Sequence, residues 1–268
     1  ESAGPATDAV TFQPPTDGNS FENAPFSVLE GMEGPSLAFE EVGAREFREL
    51  TPEERAALEQ LIEEFRQNPE RRAEILEEIE ASYYGAEVLP LIREIFGLGD
   101  EDLNLQAVEI LAGNTSPEVL PVLEEALEQP SEDVQLSAVY ASSQVRDEAL
   151  VQFLSHAFEN ESEAVRLTGL DVLENQTANN RFKVYDAAMG SSHSDVQMAA
   201  IGALEMESSP DSIEIAIKGM ESSDPEVRAE AQFSLEFQLD QTFQSAAQAR
   251  EWWAKNRSKF DQDLIPKE

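Results

Sequence analysis

Apolar residues recur along most of this chain with a period of 31. Leu103, Val134, Val165, Val196 and Val227 are evenly spaced at that interval, and four residues after each stand Ala107, Ala138, Gly169, Ala200 and Ala231. Five after the anchor come Val108, Val139, Leu170, Ile201 and the less apolar Gln232; eight after it come Leu111, Ser142, Leu173, Leu204 and Leu235. Offsets of 0, +4, +5 and +8 share one stripe of an α-helix, and a small residue at +4 lets a neighbouring helix approach closely. A second set keeps the same period: Leu89, Leu120, Val151, Phe182 and Ile213, then Ile92, Leu123, Leu154, Tyr185 and Ala216, then Phe96, Leu127, Phe158, Met189 and Met220. Its offsets of 0, +3 and +7 again define one helix face. Asn114-Thr115-Ser116-Pro117, Arg146-Asp147, Asn179-Asn180 and Ser208-Ser209-Pro210 supply turn-forming segments between the two helices.

Neither helix of such a pair buries its stripe alone, so the units must stack. The pattern predicts an all-α chain, a right-handed α-solenoid of about five to six helix pairs over residues 51–244. Thr51-Pro52-Glu53-Glu54 has the form of a capping box with Pro at the first helical position, and Leu58, Leu61, Ile62 and Phe65 follow with helical spacing. Asn68-Pro69 ends that helix and begins another, with Ile75, Leu76 and Ile79 on one face. Residues 1–50 have no period and are dotted with Pro and Gly. They read as an irregular leader with apolar anchors at Phe26, Val28, Leu29, Leu37 and Phe39. After residue 240 the period fails, because Gln244, Ala247 and Glu251 cannot fill the second-helix columns. Residues 245–268 therefore read as a different, capping helix and tail, opened by a capping box at Ser245–Gln248, with Ala249, Trp253, Asn256 and Phe260 on its buried face and Trp252 exposed.

Composition adds one strong feature. Fifty-five acidic against eighteen basic residues give a formal net charge of −37, a field that disfavours nucleic acid and anionic lipid as partners. It reads either as solubility or as complementarity to a basic protein surface or loosely held cations. There is no Cys, which removes disulfides, zinc–thiolate sites and thiol catalysis. No apolar run is long enough to span a membrane. A start at Glu1 rather than Met fits either a removed export signal or a chosen boundary, and gives the expectation of an exported protein.

Chemistry is sparse. His156 and His193 fall in different columns with no metal spacing between them, and no glycine loop, nucleophile elbow or phosphate-binding motif is present. Gly99-Asp100-Glu101-Asp102 opens like a calcium loop, but the twelfth residue from Asp100 is Leu111, not Glu. Four Asn-x-Ser/Thr triplets, at Asn114, Asn160, Asn175 and Asn256, read as chance matches to the glycosylation sequon. The expectation is a non-catalytic chain without metal or cofactor.

The first helices open with an acid, then Val-Arg, then a small residue. Examples are Glu163-Ala164-Val165-Arg166 before Gly169 and Asp224-Pro225-Glu226-Val227-Arg228 before Ala231, with Gln replacing Arg in Asp133-Val134-Gln135 and Asp195-Val196-Gln197. The acids are expected to cap these helices. Over residues 70–240 this resembles the HEAT-like repeat of phycobilisome-lyase-type proteins; the segment from Phe243 to Arg257 is similar to the ends of some exported bacterial HEAT-repeat proteins. The resemblance implies that the Arg bridges to an acid of the adjacent unit and that second helices line the inner curve of the stack. It also implies a protein-interaction scaffold, with two alternatives: an accessory factor like the bilin lyases, or a structural part of an envelope assembly. On that inner face the non-core positions are Glu124, Glu125 and Glu128, then Gln152, Ser155 and Glu159, then Lys183 and Asp186, then Glu214, Lys218 and Glu221. This strip is acidic at its N-terminal end and mixed further on, and a partner with a basic surface is expected at the acidic end.

Overall fold

The structure is a computed structural model, described here for residues 44–267; the leader anchors at Phe26, Val28, Leu29, Leu37 and Phe39 lie outside the described residues. The described part is an α-solenoid whose helices alternate between two rows. Row B holds α1 (Pro52–Gln67), α3 (Leu89–Phe96), α5 (Leu120–Leu127), α7 (Ala149–Ala157), α9 (Ala178–Ala188), α11 (Pro210–Gly219) and α13 (Ala246–Asn256). Row A holds α2 (Arg72–Ser82), α4 (Glu101–Glu109), α6 (Glu132–Ala141), α8 (Glu163–Asp171), α10 (Ser194–Glu205) and α12 (Pro225–Leu239). Most helices pack on a chain neighbour and on helices of their own row. A single isolated bridge, Arg45 with Asn114, ties the segment before α1 to the turn after α4, and Leu50 of that segment is buried.

The predicted columns are the core. Leu103, Val134, Val165, Val196 and Val227 are all buried, as are the small residues four positions on. The +8 position is buried too, although α4, α6 and α8 end before it. Leu111, Ser142 and Leu173 lie in the tight turns that follow these short helices, whereas Leu204 and Leu235 stay within the longer α10 and α12. Ser142 is tolerated there because its hydroxyl donates to the Val139 carbonyl at 2.7 Å.

Row B buries a wider face than the pattern showed. Leu91, Val122, Phe153, Val184 and Ile215 form a further buried column, and Ile95, Ala126, Ala157, Ala188 and Gly219 another. These helices meet row A on one side and their own row on two others, so one stripe does not suffice. The last column shrinks along the chain for a steric reason: a methyl on Gly219 would sit 2.9 Å from the Ala231 Cβ.

Row A helices are capped in register by Asp100, Ser131, Ser162 and Asp224, each accepting a first-turn amide, while His193, fourth in that register, makes no side-chain cap bond. Of the acids expected to cap, only Asp224 does so. Asp133, Glu163 and Asp195 stand inside the first turn, where they complement the helix dipole. Asn179 and Asn180, expected in a turn, lie within α9: Thr177 is its cap, and the buried Asn180 amide donates to the Arg146 carbonyl at 2.9 Å. At α1 the reciprocal capping box of Thr51 and Glu54 is present. At α13 it is not. Ser245 caps Gln248, but the Gln248 side chain reaches past the cap to the Gln244 amide, at 2.7 Å.

The end of the repeat also differs from the sequence pattern. α13 packs on α11 as a seventh row-B helix, burying Ala246, Ala249 and Trp253. Those offsets are again 0, +3 and +7, displaced by two residues from the positions that Gln244, Ala247 and Glu251 would have filled. The repeat continues through a two-residue shift. Trp252 is half-buried, its ring 5.7 Å from Phe243 and 6.2 Å from Phe260.

One position joins successive row-A helices. At the residue after the anchor stand Asn104, Gln135, Arg166, Gln197 and Arg228, again 31 apart. Gln135, Arg166, Gln197 and Arg228 each donate to the carbonyl six residues back, at 2.6, 2.8, 2.6 and 2.8 Å, which pins the turn leading into their own helix. The other end reaches into the next unit. Gln135 accepts from Asn160 at 3.1 Å, Gln197 from Ser222 at 2.6 Å, and the Asn104 and Gln129 amides meet at 3.2 Å. Arg166 bridges to Asp195, with its Nε at 3.0 Å, as the family resemblance implied. Among the described residues Arg228 forms no ion pair, and its hydrogen bonds go to the carbonyls of Ser222 and Ser223.

Candidate functional site: the face of row B

The eleven expected face residues all lie on row B or at its helix ends, but most are engaged rather than free. Glu124 is half-buried, and Glu125 takes a hydrogen bond from Arg93 of α3 at 2.6 Å. Glu128, just after α5, stands 3.2 Å from His156 of α7. Gln152 is exposed, Ser155 donates to the Val151 carbonyl of its own helix, and Glu159 accepts from the Ser192 hydroxyl at 2.6 Å. Lys183 reaches Glu148 at 2.9 Å and Lys218 reaches Asp186 at 2.8 Å. Glu214 pairs with Arg257 at 2.8 Å, and Glu221 with Arg250 at 3.1 Å. With Arg66–Glu94 at 2.8 Å, contacts between polar side chains join every consecutive pair of row-B helices.

Two hollows open along this face. The larger, about 1040 Å³, spans α7, α9, α11 and α13. Val151, Phe182, Ile215, Ile217 and Trp253 give it an apolar floor, and Lys183, Asp186 and Glu214 from the expected set stand around it with Glu148, Asp211, Arg250 and Arg257. Four acids and three bases line it, so the charge is nearly balanced in a chain whose acids outnumber its bases threefold. Asp211 forms no ion pair among the described residues, and the buried Trp253 Nε1 has no hydrogen-bond partner. The smaller hollow, about 610 Å³, lies at the turns that follow α5 and α7 and is lined by Glu128, Glu132, Glu159 and Glu161 with His156. It is polar. No group of three or more His, Asp or Glu among the described residues has the geometry to hold a metal ion.

The sequence showed no metal-ligand spacing between His156 and His193, and Arg250, Arg257 and Asp211 were not among the expected face residues. A signal for the two arginines existed: once α13 is aligned with its two-residue shift, both belong to a row-B helix.

The triplets resembling glycosylation sequons have structural work at three positions. Asn114 is buried and accepts from the Ser116 amide at 2.8 Å, Asn160 accepts from the Ser162 amide at 2.8 Å, and the Asn256 amide donates to the Trp252 carbonyl at 2.8 Å. The first two are turns closed by an Asn side chain.

Fold and face together define an all-α repeat solenoid with a grooved helix row. A family model for HEAT repeats matches residues 88–174, the stretch from α3 to just past α8, so the chain carries HEAT-like repeats there. A comparison with curated proteins gave no match. No helix among the described residues is long and apolar enough to cross a membrane.

Proposed function

We propose that this protein is a non-catalytic interaction scaffold that binds a protein partner along row B. The observation carrying this reading is the groove over α7 to α13. An open apolar floor walled by charges of both signs is what a protein surface needs for a partner's apolar anchor and polar rim. HEAT repeats commonly serve protein–protein interaction, which agrees with it. The acidic end at α5 is the weaker half of the face, because Glu125 and Glu128 already have partners and Glu124 is half-buried. The neighbouring units therefore orient the partner and the groove holds it.

The test is capture of binding proteins from cells of origin on immobilised wild type, on Phe182→Glu with Asp211→Lys, and on Glu124→Lys with Glu125→Lys and Glu128→Lys. Each variant is first shown to melt near the wild-type temperature. A partner kept by the wild type and the triple variant but lost by the groove variant supports the reading. One lost only by the triple variant moves the contact to the acidic end, and one kept by both refutes the placement on row B.

A further inference from the structure

If the groove over α7 to α13 is the partner site, as proposed above, the charges around it fix the chemistry of what enters. Its three bases are already matched. Lys183 meets Glu148 at 2.9 Å, Arg257 meets Glu214 at 2.8 Å and Arg250 meets Glu221 at 3.1 Å. Asp186, another carboxylate of the wall, holds Lys218 at 2.8 Å. Asp211 is the exception. It lines the groove from the first turn of α11, is exposed, and forms no ion pair among the described residues.

Covering the groove takes its walls out of water. The paired groups carry their counter-charges under cover with them, whereas Asp211 would be desolvated alone, which is costly for a carboxylate. The dipole of α11 supplies roughly half a positive charge at its first turn, too little to neutralise the group. An anionic guest would find no free cation and one free carboxylate. A wholly apolar guest would suit the floor of Val151, Phe182 and Ile215 but would leave Asp211 unmatched. A single cation beside apolar groups satisfies both.

We infer that the groove takes a segment of a partner protein presenting one lysine or arginine beside apolar side chains. The cation pairs with Asp211, and the apolar neighbours lie on Val151, Phe182 and Ile215. A broadly basic partner surface is not needed, because the remaining wall charges are satisfied within the chain. A second copy is the poorer source of this segment, since two chains of net charge −37 repel.

The probe is a phage-displayed library of random peptides, selected on the immobilised full-length protein at about 0.15 M salt, where long-range attraction to so acidic a chain is screened. Clones that lose binding to Phe182→Ser, which strips the floor, or to Ala187→Gln, which fills it, are the groove binders; either variant serves if the other melts early. These clones are expected to carry a Lys or Arg next to an apolar residue. The tightest is then titrated as a free fluorescent peptide. Asp211→Asn in the protein and norleucine for the base in the peptide should each weaken binding about ten-fold, with no further loss when combined. Glu125→Gln, at the other end of the face, should leave the affinity unchanged. Groove binders that carry no base, or losses from the two changes that simply add, overturn this inference and leave the groove reading standing. Absence of any clone sensitive to Phe182→Ser or Ala187→Gln overturns both.

Discussion

The columns are tuned to one another in size, and Gly169 shows it most sharply. A Cβ built on Gly169 would lie 2.7 Å from Cε1 and 3.2 Å from Cδ1 of Phe158. Phe158 is fully buried, so its ring has nowhere to retreat. One unit earlier the same contact is made by Leu127 and Ala138. Gly169→Ala should therefore be destabilising although alanine is the better helix former: overpacking a tight core costs about 1–3 kcal/mol, against about 1 kcal/mol gained in propensity, a net loss near 1 kcal/mol. Phe158→Leu alone leaves a gap beside the glycine and should cost about 1–2 kcal/mol. The double variant recreates the Leu127–Ala138 pair and should lie within about 0.5 kcal/mol of wild type, a coupling of roughly 2 kcal/mol. Urea unfolding of the four proteins measures this. Additive losses in the double variant would refute the claim that side-chain size is matched across the two rows.

Other expectations follow from the charges. Burial, and then the nearby Glu230, raise the carboxyl of Glu205, one of whose oxygens is buried without a hydrogen-bond partner. A raised folded value means the ionised form burdens the fold, so Glu205→Gln should raise the melting temperature at pH 7. The gain should fade as pH falls through the folded value toward about 4.3, where the unfolded carboxylate also protonates; a pH-independent gain would contradict this. Asp195 goes the other way: burial works to raise its carboxyl, but hydrogen bonds from Arg166 and the Val196 amide outweigh it and hold it below the ordinary value. Asp195→Asn should cost about 1–3 kcal/mol at pH 7, a deficit that closes below about pH 3.9 as the wild-type carboxylate is protonated, read by denaturation across pH. Added sodium chloride should raise the melting temperature, since screening the repulsion among a net 37 negative charges outweighs weakening the half-exposed pairs; a fall would show that the pairs carry the stability.

The row-A core was legible because five units keep one integer period and because Val, Ile and Leu stand out against acids. What stayed hidden had weak or displaced signals. The buried column from Ile95 to Gly219 passes from Ile to Ala and Gly, whose small side chains give a weak hydrophobic signal. α13 continued the offsets but two residues late, so it looked like a new element. Asn179 and Asn180 resembled a turn because Asn is a turn former, whereas Asn180 is buried for its bond to the unit before. None of the eleven face residues is buried, but their engagement was not legible. Arg93 meets Glu125 at a separation of 32, Lys183 meets Glu148 at 35, and Arg250 meets Glu221 at 29. Long side chains close these contacts at irregular spacings, so no fixed column reveals them.

That irregularity says what the few bases do. Nine of the eighteen pair across units: Arg55, Arg66, Arg93, Arg166, Arg181, Lys183, Lys218, Arg250 and Arg257. Most of these pairs are substantially exposed, and each such pair contributes only about 0–1 kcal/mol. The apolar columns must therefore hold the stack, while the bases relieve repulsion at the joints where acids of adjacent helices would otherwise face each other.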